Sequence, residues 1–115
     1  MLRILVIDDV ENIRAGFAAN LCEHFIVNTW YDIGGVNSSL ISLVSLSDII
    51  LLDNDMVTFE GIDILLQVRH LTDAVIYGIT SNPVARMRML SSGAIDAFIV
   101  KDPKKISRWL IERHG

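Results

Sequence analysis

The sequence has a single cysteine, Cys22, so no disulfide can form within the chain. Small proteins of oxidising compartments usually depend on disulfides, so we expect a reducing, intracellular setting. Cys22 lies in an apolar stretch, which predicts a buried structural thiol rather than a reactive one.

Long hydrophobic runs are also missing. No stretch approaches the roughly 20 uncharged apolar residues that span a bilayer. The longest candidate, 40–52, is interrupted by serines and an aspartate. Near the N-terminus, a short apolar run that contains Arg3 meets Asp8 almost at once, which predicts no signal peptide. We therefore expect a cytoplasmic protein that does not associate with membranes.

Basic residues are scarce, because 10 Lys and Arg stand against 14 Asp and Glu, giving a net charge of −4. No basic footprint is visible, so we expect no direct nucleic-acid binding by this domain. The acidic balance fits a protein that binds a cation. With two prolines, no repeat and no low-complexity segment, the 115 residues predict one domain over 1–115.

Strand-like and helix-like runs alternate along the chain. Strands are predicted at 2–7, 25–31, 48–52, 74–79 and 95–100, of which the first is a buried run and the second is the poorest pattern. Asn82-Pro83 and Asp102-Pro103 each predict the start of a helix, with an N-cap residue followed by proline. Apolar strands joined by helices predict an α/β fold with a doubly wound parallel sheet, covered by helices on both faces.

Two further local predictions concern a loop and a helix face. Gly34-Gly35 predicts a loop after the second strand. The third helix is expected to use Ile62, Leu65 and Leu66, next to Arg69, as one packed face.

Polar residues collect where the predicted strands end. Asp8 and Asp9 follow the first strand, Asp53 the third, Thr80 the fourth and Lys101 the fifth. In a doubly wound sheet these ends share one crevice. Any single aspartate has an ordinary alternative role as a helix cap, and Asp9 is a candidate cap for the first helix. Three converging carboxylates need a cation, and Mg²⁺ suits carboxylate, water and phosphate oxygens.

A set of short motifs in this order resembles the receiver domains of two-component response regulators, in the CheY-like superfamily. The motifs are Asp8-Asp9, Leu51-Leu52-Asp53 with Met56 and Gly61 behind it, Thr80, and Phe98-Ile99-Val100-Lys101. The resemblance covers essentially the whole chain. It implies a flavodoxin-like (βα)5 domain with strand order 2-1-3-4-5.

The resemblance also implies roles for the crevice residues. Asp53 would accept a phosphoryl group from a sensor histidine kinase or a phosphotransfer protein. Asp9, Asp53 and the backbone carbonyl of Asp55 would ligate Mg²⁺ directly. Asp8 would act through a metal-bound water and an ion pair with Lys101. Such a domain phosphorylates and dephosphorylates only itself and is not otherwise an enzyme.

Signal output is implied as well. Lys101 and Thr80 would hold the phosphoryl oxygens, and Phe98 would be an aromatic switch residue whose movement follows that of Thr80. The signal would reach an effector domain or a second copy through the face formed by the fourth helix, fifth strand and fifth helix. An ordinary half-buried aromatic is the alternative for Phe98.

Some positions depart from the family's commonest pattern. Val57 stands where proline usually follows the methionine, and Ser81 stands where alanine is common. Lys101 is followed by Asp102, a pairing similar to that of regulators with a helix-turn-helix DNA-binding output, although Asp102-Pro103 is also a good helix start. The cognate kinase and the output stay open.

Asp55 is the sharpest departure, because it places a second acid two residues after Asp53. The same spacing occurs in haloacid-dehalogenase-like phosphatases. We hypothesise that Asp55 alters the lifetime of phospho-Asp53 by orienting an attacking water, with repulsion of that water as the opposite effect. A solvated loop aspartate without a kinetic role is the plain alternative.

Two other functions remain open at this point. A pseudo-receiver would keep the fold and act as an interaction or dimerisation module without phosphorylation. A metal-dependent phosphatase would use Asp53 and Asp55 to turn over external phosphate esters.

Overall fold

Strands and helices alternate from one end of the chain to the other in the computed structural model, which describes residues 1–31, 36–56 and 60–115. The strands are β1 Arg3–Ile7, β2 Ile26–Trp30, β3 Ile49–Asp53, β4 Val75–Ile79 and β5 Asp96–Phe98. The helices are α1 Glu11–Leu21, α2 Ser38–Leu46, α3 Gly61–Val68, α4 Pro83–Ser91 and α5 Pro103–His114. The predicted loop at Gly34-Gly35 and the departure at Val57 lie outside the described residues.

The strands form one parallel sheet in the order β2-β1-β3-β4-β5. This confirms the predicted α/β class, the doubly wound sheet and the strand order. Every residue of β3 is buried, because the strand lies at the centre of the sheet with β1 and β4 on either side. Its carboxyl end therefore emerges in the middle of the crevice edge.

Alternate residues of the strands point into two separate apolar cores. Leu5 and Ile50 belong to the core on the side of α2, α3 and α4. Ile4 and Ile49 belong to the core on the side of α1 and α5, where Phe17 is fully buried. Because successive side chains of a strand point to opposite faces, a sheet with helices on both sides needs strands that are apolar throughout.

The predicted cap residues begin α4 and α5. The side-chain oxygen of Asn82 accepts hydrogen bonds from the Val84 and Ala85 amides, and that of Asp102 accepts one from the Lys105 amide. A proline follows each cap, where a missing amide hydrogen costs nothing.

Asp9 is not the cap of α1, so this alternative is wrong. The N-cap residue is Val10, which has no capping side chain. Asp8 instead binds the backbone at the start of the helix, because its Oδ1 accepts a hydrogen bond of 2.8 Å from the Val10 amide. The turn between β1 and α1 is thus organised by the first of the two aspartates rather than the second.

Three local predictions were wrong. Cys22 is exposed, because it follows Leu21 at the end of α1 and lies one step around the helix from that buried side chain. Leu66 is 43% exposed, since Ile64 and Val68 take the inner positions of α3. The fifth strand has three residues rather than six, because pairing with β4 ends at Phe98 and the chain then turns toward Lys101.

The free edge of β5 carries a small network of polar contacts. Asp96 Oδ1 accepts a hydrogen bond of 2.8 Å from the Ala97 amide and lies 3.0 Å from Arg86 Nη2. Arg86 Nε also donates to the Ala97 carbonyl oxygen at 3.1 Å. Arg86 of α4 is therefore held against the edge strand. Within the described ranges, no helix combines the length and apolarity needed to cross a membrane.

Candidate functional site

Three carboxylates meet at the carboxyl ends of the neighbouring strands β1 and β3. Asp8 and Asp53 are buried and Asp9 is half-buried. One oxygen atom from each of the three lies within 4.8 Å of the others. The strand order places these residues side by side, so the sheet itself gathers the acids that the sequence places 44 positions apart at Asp9 and Asp53.

Lys101 crosses the crevice to this acidic group. Its Nζ donates a hydrogen bond of 2.9 Å to Asp53 Oδ2 and lies 3.0 Å from Asp8 Oδ2 in an ion pair. Burial alone would lower the pKa of Lys101, but the contacts with Asp53 and Asp8 outweigh burial and raise it. Lys101 is therefore a permanent cation at the centre of the site.

Asp53 has an unfavourable environment for its negative charge. Burial disfavours its charged form and raises the pKa of the carboxyl from 3.8 to about 6, although the hydrogen bond from Lys101 acts in the opposite direction. The negative charge of nearby Asp8 adds to the rise. The site therefore holds Asp53 at a cost in folding free energy whenever the carboxyl is ionised.

Replacing Asp53 with Asn is expected to stabilise the metal-free protein at pH 8 by about 1–2 kcal/mol. A pKa rise from 3.8 to about 6 corresponds to about 3 kcal/mol, and the weakened contact with Lys101 offsets part of it. The native state of wild type binds the extra proton between pH 3.8 and about 6, so its penalty develops as pH rises through this window. Urea unfolding of both proteins at pH 4.5 and pH 8 measures the difference.

The exposed Asp73 provides the matched control, since Asp73→Asn makes the same chemical change away from the crevice. Its effect is expected to stay within about 0.5 kcal/mol at both pH values. If Asp53→Asn raises the unfolding free energy equally at pH 4.5 and pH 8, ionisation of buried Asp53 is not the cause of the stabilisation.

Thr80 is buried at the end of β4, and its hydroxyl is engaged on both sides. The hydroxyl oxygen accepts a hydrogen bond of 3.2 Å from the Asn82 amide. The hydroxyl lies 3.2 Å and 3.3 Å from the two carboxylate oxygens of Asp55, to which it donates. Sequence reasoning placed Asp55 two residues beyond Asp53 but did not find this contact, because it depends on how the loop after β3 folds back.

A cavity of about 360 Å³ adjoins these groups. Its lining residues come from the ends of β3, β4 and β5 and the segments that follow them: Asp55, Ile79, Thr80, Ser81, Ile99, Val100 and Lys101. The cavity presents a cation and a hydroxyl donor on one side of the acidic group, which is the arrangement that a tetrahedral anion attached to Asp53 would need.

Two further residues support the crevice and were missed by sequence reasoning. Asn54 is buried and links the end of β3 to β4 and α3. Its backbone amide donates to the Ile79 carbonyl oxygen, and its side-chain Oδ1 accepts from the Ile62 backbone amide. Arg14 Nη1 donates to the Asp8 carbonyl oxygen at 2.8 Å, and its guanidinium stacks over the Tyr31 ring at 4.4 Å. The sequence did offer a signal for Asn54, because an asparagine directly follows Asp53 at the strand end.

The donor set fits a hard divalent cation such as Mg²⁺. Asp8, Asp9 and Asp53 supply carboxylate oxygens that lie close enough for one ion to contact all three. Asp8 Oδ2 is buried and contacts Lys101 Nζ at 3.0 Å, and a carboxylate oxygen with one such contact has a further lone pair for a metal-bound water. Asp53 Oδ1 accepts from the Asp55 amide at a long 3.3 Å, a weak bond that a metal ion can replace.

Phe98 lies half-buried within an aromatic group that links the crevice to α5. Its ring centroid is 5.8 Å from that of Tyr77 and 5.2 Å from that of Trp109. The Tyr77 hydroxyl lies 2.7 Å from His114 Nε2 near the end of α5. The adjacent surface is apolar, with exposed Ile99 and Val100 beside a second cavity of about 260 Å³.

Fold and site together define an α/β domain with three clustered acids and a charged lysine at the carboxyl edge of a five-stranded parallel sheet. Solved structures that match this fold include response-regulator receiver domains, and the chain has their fold over nearly its whole length. This confirms the resemblance predicted from the sequence motifs.

Three of these structures illustrate the similarity. A CheY-like receiver domain protein from Methanospirillum hungatei JF-1 is 23% identical with a TM-score of 0.79, over 98% of this chain and 93% of that one. The receiver domain of the putative response regulator NarL from Mycobacterium tuberculosis is 25% identical with a TM-score of 0.73, over 97% and 94%. The beryllofluoride-activated NtrC4 receiver domain dimer is 20% identical with a TM-score of 0.78, over 98% and 95%. No family model and no curated protein sequence matches the chain.

Proposed function

We propose that this chain is a phosphoacceptor receiver domain of a two-component response regulator, phosphorylated on Asp53 in a Mg²⁺-dependent transfer. The donor would be a sensor histidine kinase or a phosphotransfer protein, in the cytoplasm. The observation that carries the proposal is the position of Asp53, buried at the end of the central strand with Lys101 Nζ 2.9 Å from its Oδ2. The other crevice acids and Thr80 complete the set that phosphoryl transfer needs.

In the transfer step, a carboxylate oxygen of Asp53 forms a bond to phosphorus while the bond from phosphorus to the donor's imidazole nitrogen breaks. Such transfer depends on positioning and charge neutralisation rather than on acid–base chemistry by the protein. Lys101 and Thr80 would hold phosphoryl oxygens from the cavity side. Asp9, Asp53 and the Asp55 carbonyl would hold Mg²⁺ directly and Asp8 through water, and the ion would neutralise charge on the phosphoryl oxygens.

The output proposal concerns the face formed by α4, β5 and α5. Thr80 directly follows β4 and Phe98 ends the adjacent β5, and the Thr80 amide donates to the Phe98 carbonyl oxygen at 2.9 Å. A shift of Thr80 toward a phosphoryl group would therefore act directly on the backbone of Phe98. Exposed apolar side chains on this face, Val84, Met87, Ile95, Ile99 and Val100, fit contact with an effector domain or a second copy.

The role of Asp55 in phosphoryl lifetime also stays a proposal. Its carboxylate borders the cavity and is exposed, so it has access to water that approaches the phosphoryl group. Equal phosphoryl half-lives for wild type and Asp55→Asn would contradict a role in hydrolysis.

Incubation with acetyl phosphate and Mg²⁺ is expected to add one phosphoryl group to wild type and none to Asp53→Ala. Intact-mass spectrometry detects the adduct, and loss of the added mass under mild base identifies an acyl phosphate. Asp73→Asn serves as the matched aspartate control and should be labelled like wild type. Release of inorganic phosphate is measured in the same samples.

Two outcomes would replace this function with the alternatives. A folded wild type with no adduct and no phosphate release would identify a pseudo-receiver that acts as an interaction or dimerisation module. Multiple turnovers of an external phosphate ester, dependent on Asp53 and Asp55, would identify a metal-dependent phosphatase.

A further inference from the structure

The hydroxyl of Thr80 has one proton, and in the structure that proton faces both carboxylate oxygens of Asp55 in a long three-centre hydrogen bond. A threonine hydroxyl donates a single hydrogen bond and accepts others. On Thr80 the accepting side receives the Asn82 amide at 3.2 Å, and the donating side faces the two carboxylate oxygens of Asp55 at 3.2 Å and 3.3 Å. A phosphoryl oxygen on Asp53 would need the same proton.

We infer that Asp55 is a positioning residue that competes with the phosphoryl group for the Thr80 hydroxyl. The inference rests on the proposed phosphoacceptor function and adds a regulatory contact to it. In the unphosphorylated protein the Asp55 carboxylate holds Thr80, and phosphorylation of Asp53 recruits Thr80 only by displacing Asp55. The Asp55 carboxylate thus accepts the Thr80 hydrogen bond that the phosphoryl group would otherwise accept.

The surroundings of Asp55 support such an exchange. Asp55 is exposed, so its carboxylate can leave Thr80 and be solvated without a burial penalty. Its carboxylate also accepts a long hydrogen bond of 3.3 Å from Asn54 Nδ2, which holds it only weakly. Thr80, in contrast, is buried and turns toward the cavity that Asp55 and Lys101 also line. The acid is therefore the partner that water can solvate when the contact breaks, and the Thr80 hydroxyl can then turn to the phosphoryl group.

Charge favours the exchange once a phosphoryl group is present. A phosphoryl group adds nearly two negative charges. The Asp55 carboxylate contacts Thr80 and lines the same cavity as Lys101, whose Nζ is 2.9 Å from Asp53 Oδ2, so a charge added to Asp53 repels it. Two effects of Asp55 then oppose phosphorylation, the hold on Thr80 and direct repulsion. A test must separate them.

A double-mutant cycle on beryllofluoride binding separates the two effects. Beryllofluoride with Mg²⁺ mimics a phosphoryl group on the carboxylate, and its binding is followed by fluorine NMR and by titration of tryptophan fluorescence. Asp55→Ala is expected to tighten binding by about tenfold when threonine is present at position 80, because a hydrogen bond to a carboxylate is lost only from the free state. In the Thr80→Val background the same change should tighten binding by about threefold or less, since only repulsion is relieved.

Two further variants test whether the hydroxyl of Thr80 and the charge of Asp55 cause the effect. Thr80→Ser keeps the hydroxyl and should preserve the full effect of Asp55→Ala. Asp55→Asn keeps a side-chain acceptor without the charge, so it should give an intermediate gain, and it replaces Asp55→Ala if that variant does not fold. Equal gains with and without the Thr80→Val change, or no gain in either background, would overturn the inference. Failure of wild type and all variants to bind beryllofluoride would instead count against the proposed phosphoacceptor function itself.

Discussion

Lys101→Met is expected to destabilise the metal-free protein by about 3 kcal/mol at pH 8, because two buried carboxylates lose their shared counter-charge. Asp8 and Asp53 are 1% and 0% exposed, so water cannot replace the ammonium group. Methionine keeps the apolar stem of the side chain, which restricts the change to charge. Phosphorylation of Asp53 by acetyl phosphate should fall by about a hundredfold, since a preorganised charged donor to the transferred group is removed.

The pH dependence identifies the cause of this destabilisation. The pKa of Asp53 is already raised to about 6 by burial, and loss of Lys101 raises it further. As pH falls from 8 toward 5, Asp53 takes up a proton in the native state, and the stability deficit of Lys101→Met should shrink. Urea unfolding across this range measures the deficit. Adding Asp53→Asn to Lys101→Met should restore most of the lost stability at pH 8.

The exposed Lys104 on α5 offers the matched control, because Lys104→Met removes the same charge outside the crevice. Its effect on stability should stay within about 0.5 kcal/mol. A deficit of Lys101→Met that is constant from pH 5 to pH 8 would show that lost packing, rather than unpaired charge, causes it.

Gly61→Ala is expected to cost about 3 kcal/mol in unfolding free energy and to slow phosphorylation of Asp53. A Cβ at Gly61 would overlap the Asp53 carbonyl oxygen and lie 2.9 Å from Asn54 Cα, which are backbone atoms that no side-chain rotation can move aside. The start of α3 would have to move away from β3 and break the 3.0 Å hydrogen bond from the Gly61 amide to the Asn54 carbonyl oxygen. That movement would disturb the backbone at Asp53, the proposed phosphoacceptor.

Thermal unfolding and acetyl phosphate labelling measure the two effects, and Gly16→Ala is the control. Gly16 also lies within a helix, but a Cβ there meets only the side-chain carbons of Pro103, at 3.2 Å. A gain in helix propensity of about 1 kcal/mol opposes this tight contact, so the variant should remain within about 1 kcal/mol of wild type. If both Gly→Ala variants lose the same stability and the same rate of phosphorylation, the close contact of Gly61 with the Asp53 backbone is not the cause of the loss.

The sequence predicted the fold well because the signals involved are local and repeated. The apolar strand runs and the caps at Asn82 and Asp102 each depend on a few neighbouring residues, and the structure has both. The convergence of Asp8, Asp53 and Lys101 was predictable for a related reason. All the strands are parallel, so their carboxyl ends lie at one edge of the sheet.

The contact between Thr80 and Asp55 was not predictable, because neither hydrophobic pattern nor motif spacing specifies a side-chain rotamer in a loop. The exposure of Cys22 and Leu66 has a similar cause. Each lies beside a buried helix position, and a shift of one residue, about 100° around a helix, exchanges the inner and outer faces. The fifth strand ends early because its backbone pairing with β4 ends at Phe98. The local sequence of 95–100 does not indicate where that pairing ends.

The network at the free edge of β5 has a consequence for how copies of this protein can meet. An uncovered edge strand offers backbone donors and acceptors on which another strand can add, which leads to open-ended aggregation. Here the Ala97 amide and carbonyl are already occupied by Asp96 and Arg86. The protein's own side chains therefore compete with the addition of another strand at this edge.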